Sequence, residues 1–171
     1  DKVYETLDLC LSCKACKSEC PSNVDMAKLK SEVLQKKFDA GKMSFREKAI
    51  NANIDIVPKM TGWIAPMINF VQGTSFFKYF AKKILKIDSR RTLPSYASET
   101  LSHWYEKNYT PNGSSNKVAL FADTYINYHE PNIGRAAIKL LNDCGYEVVL
   151  ANVGCCQRPR ISNGFLKKAK T

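Results

Sequence analysis

Residues 10–21, CLSCKACKSECP, place four cysteines within eleven positions and follow them with a proline. The spacing C-x2-C-x2-C-x3-C-P is that of bacterial ferredoxin-type runs, which bind 4Fe–4S clusters through cysteine thiolates. Two intervening residues let the backbone wrap a cubane, so that each thiolate reaches a different iron. Structural zinc usually takes its ligands in pairs from separate segments. Cys10, Cys13, Cys16 and Cys20 are therefore predicted to ligate iron.

The last cysteine of the run leaves two arrangements open. In two-cluster ferredoxins the fourth cysteine of such a run ligates the other cluster. Cys10, Cys13 and Cys16 would then share one cluster with a cysteine from a second run, which the 171 residues do not contain. Either Cys20 completes a single cluster, or the partner run lies upstream of Asp1. We expect one or two 4Fe–4S clusters accordingly.

Basic residues exceed acidic ones by 26 to 16, which gives a formal net charge of +10. Such an excess suits nucleic acid, an anionic membrane face or an acidic partner. The aromatic and basic run 76–91 concentrates it. The favoured interpretation is a solvated helix with core residues Phe76, Phe77, Phe80 and Ile84. Contact with a membrane surface or an acidic partner comes second, and nucleic acid is not expected as a partner.

The cysteine content and the start of the chain indicate a reducing compartment. The chain begins with a charged amphipathic stretch rather than a signal peptide, and seven cysteines, four of them crowded together, do not suit an exported disulfide scaffold. The most apolar stretch, residues 62–73, would reach about 18 Å as a helix, short of the roughly 30 Å hydrocarbon core. We expect a cytoplasmic location, with peripheral contact at the inner face of the cell membrane as a further expectation.

The fold class is predicted as a mainly α, ferredoxin-like helical domain followed by a partial α/β (βαβ) cysteine-rich domain. Helices are expected at 2–9, after an Asp25 cap, and after a Ser44 cap. Strand, helix and strand at 117–123, 133–145 and 146–152 indicate a parallel βαβ unit, with a further helix beginning in 161–170. Because two parallel strands do not make a covered sheet, the chain is predicted to be a fragment. The expected domains are 1–58 (4Fe–4S-binding helical domain), 59–116 (helical inter-domain segment with the linker TPNGSSN) and 117–171 (first part of the cysteine-rich domain).

A second group of candidate residues follows the two predicted strands. In open α/β sheets, ligands bind beyond the carboxyl ends of the strands. The second strand is followed by NVGCCQRP (152–159), with Gly154 allowing the backbone to bend around a group. A second redox or cofactor site is predicted here, with incidental buried thiols as the alternative, and Cys144 is interpreted as a small core residue. Its candidate members are Asp123, Thr124, Tyr125, Asn127, His129, Cys155 and Cys156.

Two stretches, residues 7–32 and 121–156, resemble the iron–sulfur and cysteine-rich portion of FAD-linked oxidases of the glycolate and D-lactate dehydrogenase type. The same portion is similar to the iron–sulfur subunit of anaerobic glycerol-3-phosphate dehydrogenase and, more distantly, to heterodisulfide reductase subunits. Two positions depart from the family pattern. Gln157 stands where the family's double-cysteine motif has Gly, and Asp123-Thr124 stand where several relatives have a cysteine.

The resemblance implies an electron-transfer segment of an FAD/iron–sulfur oxidoreductase. FAD would lie in another domain of the same protein or in a partner subunit, and would oxidise a 2-hydroxy acid such as glycolate or D-lactate, or glycerol-3-phosphate. Electrons would pass from FAD through 4Fe–4S clusters to a quinone or a carrier protein. This chain would supply electron transfer rather than substrate chemistry. It has no G-x-G-x-x-G loop of its own for a dinucleotide.

Two other functions remain open from the sequence alone. One is a zinc-stabilised basic nucleic-acid-binding module, which the net charge and the run 76–91 would allow. The other is a cytosolic iron–sulfur redox sensor in which Cys155 and Cys156 form the switch.

Overall fold

A computed structural model describes residues 2–151 and 153–170, so Asp1, Asn152 (the predicted end of the second strand) and Thr171 lie outside it. The described chain is mainly helical and contains one small parallel sheet. Its helices are α1 Lys2–Asp8, α2 Ala15–Glu19, α3 Met26–Asp39, α4 Phe45–Ile56, α5 Ala65–Gly73, α6 Ser75–Leu85, α7 Leu101–Asn108, α8 Thr124–Tyr128, α9 Pro131–Asp143, α10 Arg158–Ser162 and α11 Leu166–Ala169. Its strands are β1 Lys117–Phe121 and β2 Glu147–Ala151, and 3₁₀ turns form at Val57–Met60 and Gly62–Ile64.

The chain divides into two compact units. The first combines Asp1–Asn51 with Gln157–Thr171, and the second is Ala52–Cys156. This division differs from the sequence-based boundaries, because it places the last residues with the cysteine loop rather than with the sheet. None of the helices within 2–151 and 153–170 combines the length and apolar character needed to cross a membrane.

Local capping explains where the helices of the first unit begin. The Asp25 carboxylate accepts a hydrogen bond from the Lys28 N–H at 2.9 Å, which confirms Asp25 as the cap of α3. Ser44 and Glu47 form a reciprocal capping box, in which the Glu47 carboxylate accepts the Ser44 N–H at 2.7 Å and the Ser44 hydroxyl accepts the Glu47 N–H at 3.3 Å. The Lys37 ammonium donates to Glu47 at 2.8 Å, which ties α3 to the start of α4.

The C-terminal segment packs on α3. Phe165 stacks on Phe38 with ring centroids 4.8 Å apart, and both side chains are buried. Gly164 has a φ of +82°, and a Cβ there would overlap the Cβ of Leu34. Only a glycine therefore gives both the backbone conformation and the close approach that this packing requires.

The second unit is built on the two parallel strands. Lys117 pairs with Glu147 and Phe121 with Ala151, so the predicted parallel pairing is confirmed. Helix α9 connects the strands, and its Ile138 packs with Leu101 and Val148 in the core. These three side chains are at most 2% exposed, which makes them the centre of this unit.

The segment TPNGSSN contacts the residues at the start of β2. The Asn112 side chain donates to the Tyr146 carbonyl at 3.0 Å, and the Ser114 hydroxyl donates to the Gly145 carbonyl at 2.7 Å. The Gly113 N–H donates to the Glu147 carboxylate at 3.2 Å. These bonds anchor residues 112–114 within the second unit.

Several sequence-based predictions need correction. Strand β1 ends at Phe121 rather than at residue 123, because Asp123 caps the unpredicted helix α8. The helix expected in 161–170 is two short helices, since Gly164 adopts a left-handed conformation between them. Cys144 is exposed, not a core residue, because it caps the C-terminus of α9 where the chain turns at Gly145.

The core assignment in the run 76–91 is also wrong for three of its four residues. Phe76, Phe80 and Ile84 are exposed, and the side of α6 that is buried carries Ala81 instead. Phe77 is half-buried.

Replacing Gly164 with Ala should destabilise the first unit more than a matched glycine replacement. Gly164→Ala adds the left-handed backbone cost, about 1–2 kcal/mol, to overpacking against Leu34, about 1–3 kcal/mol. Gly41→Ala is the control, because Gly41 has a φ of +76° and no atom lies within 4 Å of the position that its Cβ would take. The free energy of unfolding in urea, measured for both variants, should fall more for Gly164→Ala. Equal losses would show that residues 157–170 do not pack closely on α3.

Glu47 should make stability depend on pH in the acidic range. Burial raises the pKa of Glu47, but hydrogen bonds from Lys37 and Ser44 outweigh this and hold it below its ordinary 4.5. The carboxylate therefore contributes stability above about pH 4.5, and that contribution is lost as pH falls through the lowered pKa. Glu47→Gln should flatten the dependence of the urea midpoint on pH below 4.5. An unchanged slope in Glu47→Gln would contradict the role of this carboxylate.

Candidate metal centre

The four clustered cysteines lie in one loop between α1 and α3. The Cys10 N–H donates to the Leu7 carbonyl at 3.1 Å as the chain leaves α1. Cys16 lies within α2, and Cys20 ends that helix by donating its N–H to the Cys16 carbonyl at 3.0 Å. Cys13 is exposed, whereas Cys10, Cys16 and Cys20 are half-buried. The short helix thus spaces the third and fourth cysteines by one turn.

Residues on both sides of Cys13 adopt left-handed backbone conformations. Ser12 has a φ of 55° and Lys14 a φ of 66°. Non-glycine residues seldom adopt positive φ, and such residues often mark a binding loop. Alternating right- and left-handed residues turn backbone N–H groups toward a common concave side, where they can bind anions. This backbone suits a loop that wraps an anionic group.

Backbone N–H groups act on two of the four thiols, through a hydrogen bond at Cys10 and through the pKa of Cys20. The Ser12 N–H lies 3.4 Å from the Cys10 Sγ. N–H donation from Val24, then Ser22 and Asn23, lowers the pKa of Cys20 against the opposing effect of burial. Amide donors favour the thiolate, which is the form that binds metal. Cysteine thiolates are the donors that iron–sulfur clusters take.

A lysine of α3 holds the start of the loop. The Lys30 ammonium donates to the Cys10 carbonyl at 2.8 Å and so links the loop to α3. Neither Lys30 nor the amides of residues 22–24 belong to the cysteine motif from which the site is predicted. Two features of the sequence indicate a turn at these amides: Pro21, which ends the cysteine run, and Asp25, which caps the helix that follows. The position of Lys30 in the sequence does not indicate its hydrogen bond to the Cys10 carbonyl.

The described residues do not gather three or more His, Cys, Asp or Glu side chains into a metal-binding group. The four cysteines share one loop, but the loop does not bring them together as a metal-binding group in the described part of the chain. Ligation of iron by Cys10, Cys13, Cys16 and Cys20 stays a prediction.

The candidate residues after β1 have structural partners. The Asp123 carboxylate accepts the Ile126 N–H at 2.8 Å and so caps α8. Asn127 is buried and accepts from the Ser102 N–H and hydroxyl, both at 2.9 Å. His129 Nδ1 lies 2.8 Å from the Ser95 carbonyl, and its ring contacts those of Tyr96 and Tyr125. These contacts explain three of the candidate residues as parts of the fold.

The double cysteine follows β2 in an irregular segment. Cys155 is half-buried and Cys156 is exposed. Gly154 has a φ of +70°, a left-handed conformation that bends the backbone just before the two cysteines. Gln157 also has a positive φ, of 56°, at the position where the family pattern has Gly. The backbone therefore keeps a glycine-like conformation in spite of the substitution.

Comparison with known proteins gives consistent relatives. No family model matches the chain, and no solved structure matches it significantly. It is 32% identical over 136 residues to a subunit of the anaerobic glycerol-3-phosphate dehydrogenase of Escherichia coli K12, a match that covers 78% of this chain. It is 25% identical over 175 residues, 96% of the chain, to D-2-hydroxyglutarate dehydrogenase of Pseudomonas putida. The corresponding protein of Pantoea ananatis is 22% identical over 185 residues.

The chain spans only part of these relatives. Its match covers 34% of the length of the E. coli protein and 17% of the P. putida dehydrogenase. The match to D-2-hydroxyglutarate dehydrogenase nevertheless covers nearly all of this chain. The resemblance found from the sequence is therefore confirmed: the chain is related to this glycerol-3-phosphate dehydrogenase subunit and to D-2-hydroxyglutarate dehydrogenases.

Proposed function

We propose that this chain is the electron-transfer segment of a flavin-linked oxidoreductase. The observation that carries the proposal is the cysteine loop, whose ferredoxin-type spacing is combined with backbone N–H donors at Cys10 and Cys20. The names of the relatives, which are dehydrogenases or a dehydrogenase subunit, support the same class of reaction.

The loop residues have distinct roles in this proposal. Cys10, Cys13 and Cys16 hold a 4Fe–4S cluster, and Cys20 either completes it or ligates a second one. A cluster supplies one-electron transfer when bound. Hydrogen bonds to the cysteine sulfurs and nearby charge tune the potential. Here the amides of residues 22–24 stabilise the Cys20 thiolate, while Lys14 and Lys17 place positive charge beside the loop.

Cys155 and Cys156 form the proposed second redox site. Asp123 and His129 were predicted beside them, but the carboxylate caps α8 and the imidazole hydrogen-bonds to Ser95. The thiols are the soft donors of this segment, and Gly154 supplies the bend that adjacent cysteines need to face one group.

The flavin, the substrate and the electron acceptor lie outside this chain in the proposal. FAD lies in another domain or in a partner subunit and oxidises glycerol-3-phosphate or a 2-hydroxy acid such as glycolate, D-lactate or 2-hydroxyglutarate. Electrons leave to a quinone or a carrier protein. The protein works in the cytoplasm, in peripheral contact with the inner face of the cell membrane.

The domain plan remains part of the proposal. Residues 1–58 form the cluster-binding ferredoxin-like domain, 59–116 the inter-domain segment, and 117–171 the start of the cysteine-rich domain. The packing of Phe165 on Phe38 favours extending the first domain to include residues 157–170. The zinc-stabilised nucleic-acid-binding module and the redox sensor are not favoured by the relatives.

Replacing a cysteine of the loop should remove iron from the full-length protein. Cys13→Ser should lower the iron content by about four atoms per chain, because one 4Fe–4S cluster loses a ligand. Cys144→Ser is the matched control, since Cys144 is an exposed thiol outside the loop. Iron analysis of anaerobically purified protein measures the difference. Equal iron in both variants would contradict ligation by Cys13.

Cys20→Ser separates the one-cluster and two-cluster arrangements. If Cys20 completes a single cluster, Cys20→Ser and Cys13→Ser lose the same EPR signal on reduction. If Cys20 ligates a second cluster, the two variants lose different signals. Retention of every signal in Cys20→Ser would contradict both arrangements.

The substrate should reduce the clusters of the full-length protein. Anaerobic addition of the correct hydroxy acid or of glycerol-3-phosphate should bleach the visible absorption near roughly 400 nm. In Cys13→Ser the flavin should still be reduced, while electron transfer to an added quinone slows. If flavin and quinone are reduced equally fast in the unchanged protein and in Cys13→Ser, electrons do not pass through this chain.

A further inference from the structure

Helix α6 leaves a row of aromatic and aliphatic side chains exposed. Phe76, Phe80 and Ile84 follow one another at intervals of four residues and so lie on one face of the helix. Phe76 is 74% exposed, and its ring centroid lies 4.7 Å from that of Phe80. Tyr79 is also exposed and contacts Phe80 edge-on. Phe80 and Ile84 are 42% and 49% exposed, so the row faces outward along the helix.

The preceding helix has an exposed apolar row of its own. Met67, Phe70 and Val71 are exposed at positions i, i+3 and i+4 of α5, and Phe70 is 77% exposed. Trp63, just before this helix, is 90% exposed. Helices α5 and α6 contact each other, so the two rows belong to one helical pair. Soluble surfaces seldom expose contiguous apolar patches of this kind without a binding function.

The charge around these rows has one sign. Residues 56–87 contain five lysines and no acidic residue. Lys82 and Lys83 are exposed within α6 beside Ile84, and Lys86 is exposed at its end. An apolar helix face flanked by lysines is the pattern of helices that lie in the membrane interface. The aliphatic stems of the lysines can follow the apolar surface while their ammonium groups reach lipid phosphates.

We propose that α5 and α6 bind the surface of an anionic lipid bilayer through an aromatic–basic face, formed by Phe70, Phe76, Phe80, Ile84, Lys82 and Lys83. The aromatic and aliphatic side chains enter the boundary between headgroups and acyl chains. The lysines pair with anionic headgroups, and this charge complementarity favours a lipid surface over an apolar protein partner. Neither helix crosses the bilayer.

This inference rests on the peripheral membrane contact in the proposed function and assigns it to named residues. It does not depend on the clusters or on substrate oxidation. If the protein binds vesicles but substrate does not reduce its clusters, the electron-transfer proposal is wrong and the membrane proposal stands. If substrate reduces the clusters but the protein does not bind vesicles, the membrane proposal is wrong and the electron-transfer proposal stands.

Co-sedimentation of the full-length protein with vesicles tests the proposal. Binding should be strong to vesicles of phosphatidylcholine with phosphatidylglycerol, weak to phosphatidylcholine alone, and reduced by added salt. The double variant Phe76→Ser/Phe80→Ser should lose binding to both. Lys82→Gln/Lys83→Gln should weaken binding to the anionic vesicles about 25-fold, because each juxtamembrane lysine contributes about fivefold.

The matched control is Lys139→Gln/Leu140→Ser on α9, which changes an exposed lysine and an exposed apolar residue in the same unit. It should bind like the unchanged protein. Equal binding by all variants, or equal binding to both kinds of vesicle, would overturn the proposal. A change in oligomeric state or subunit assembly by Phe76→Ser/Phe80→Ser, with vesicle binding unaffected, would show that protein covers this face instead.

Discussion

The structure around the candidate centre depends on one hydrogen bond, from the Lys30 ammonium to the Cys10 carbonyl at 2.8 Å, which holds the cysteine loop against α3. The four cysteines share this loop, and a 4Fe–4S cluster would bind them as thiolates. Left-handed residues on either side of Cys13 turn the chain, and the amides of residues 22–24 lower the pKa of Cys20. Helix α3 begins immediately after these amides, with Asp25 as its cap, and returns Lys30 to the Cys10 carbonyl. Loop and helix therefore form one arrangement in which each positions the other.

Local signals in the sequence predict much of this fold. Asp25, Ser44 and Glu47 are capping residues whose partners lie three residues away, so a short stretch of sequence contains the whole interaction. The alternation of strand and helix patterns likewise predicts the parallel pairing of β1 with β2. The spacing of the four cysteines indicates the type of metal centre without any structure.

What the sequence does not predict depends on contacts between distant residues. Residues 157–170 join the first unit because Gly164 and Phe165 pack against α3, more than a hundred residues earlier in the chain. Asp123 is a candidate ligand from its position after a strand, but in the structure it caps α8. Aspartate is favoured both as a helix cap and as a ligand, so its position in the sequence does not distinguish the two roles. The aromatic residues of α6 have the spacing of a core-facing helix, and only the structure shows them exposed.

The central claim is that the cysteine loop binds iron–sulfur clusters that transfer electrons. Its most direct test is low-temperature EPR of the anaerobically purified full-length protein after reduction with dithionite, together with metal analysis. We expect the signal of a reduced 4Fe–4S cluster, and iron and sulfide in equal amounts. A protein with no such signal that contains stoichiometric zinc would contradict it.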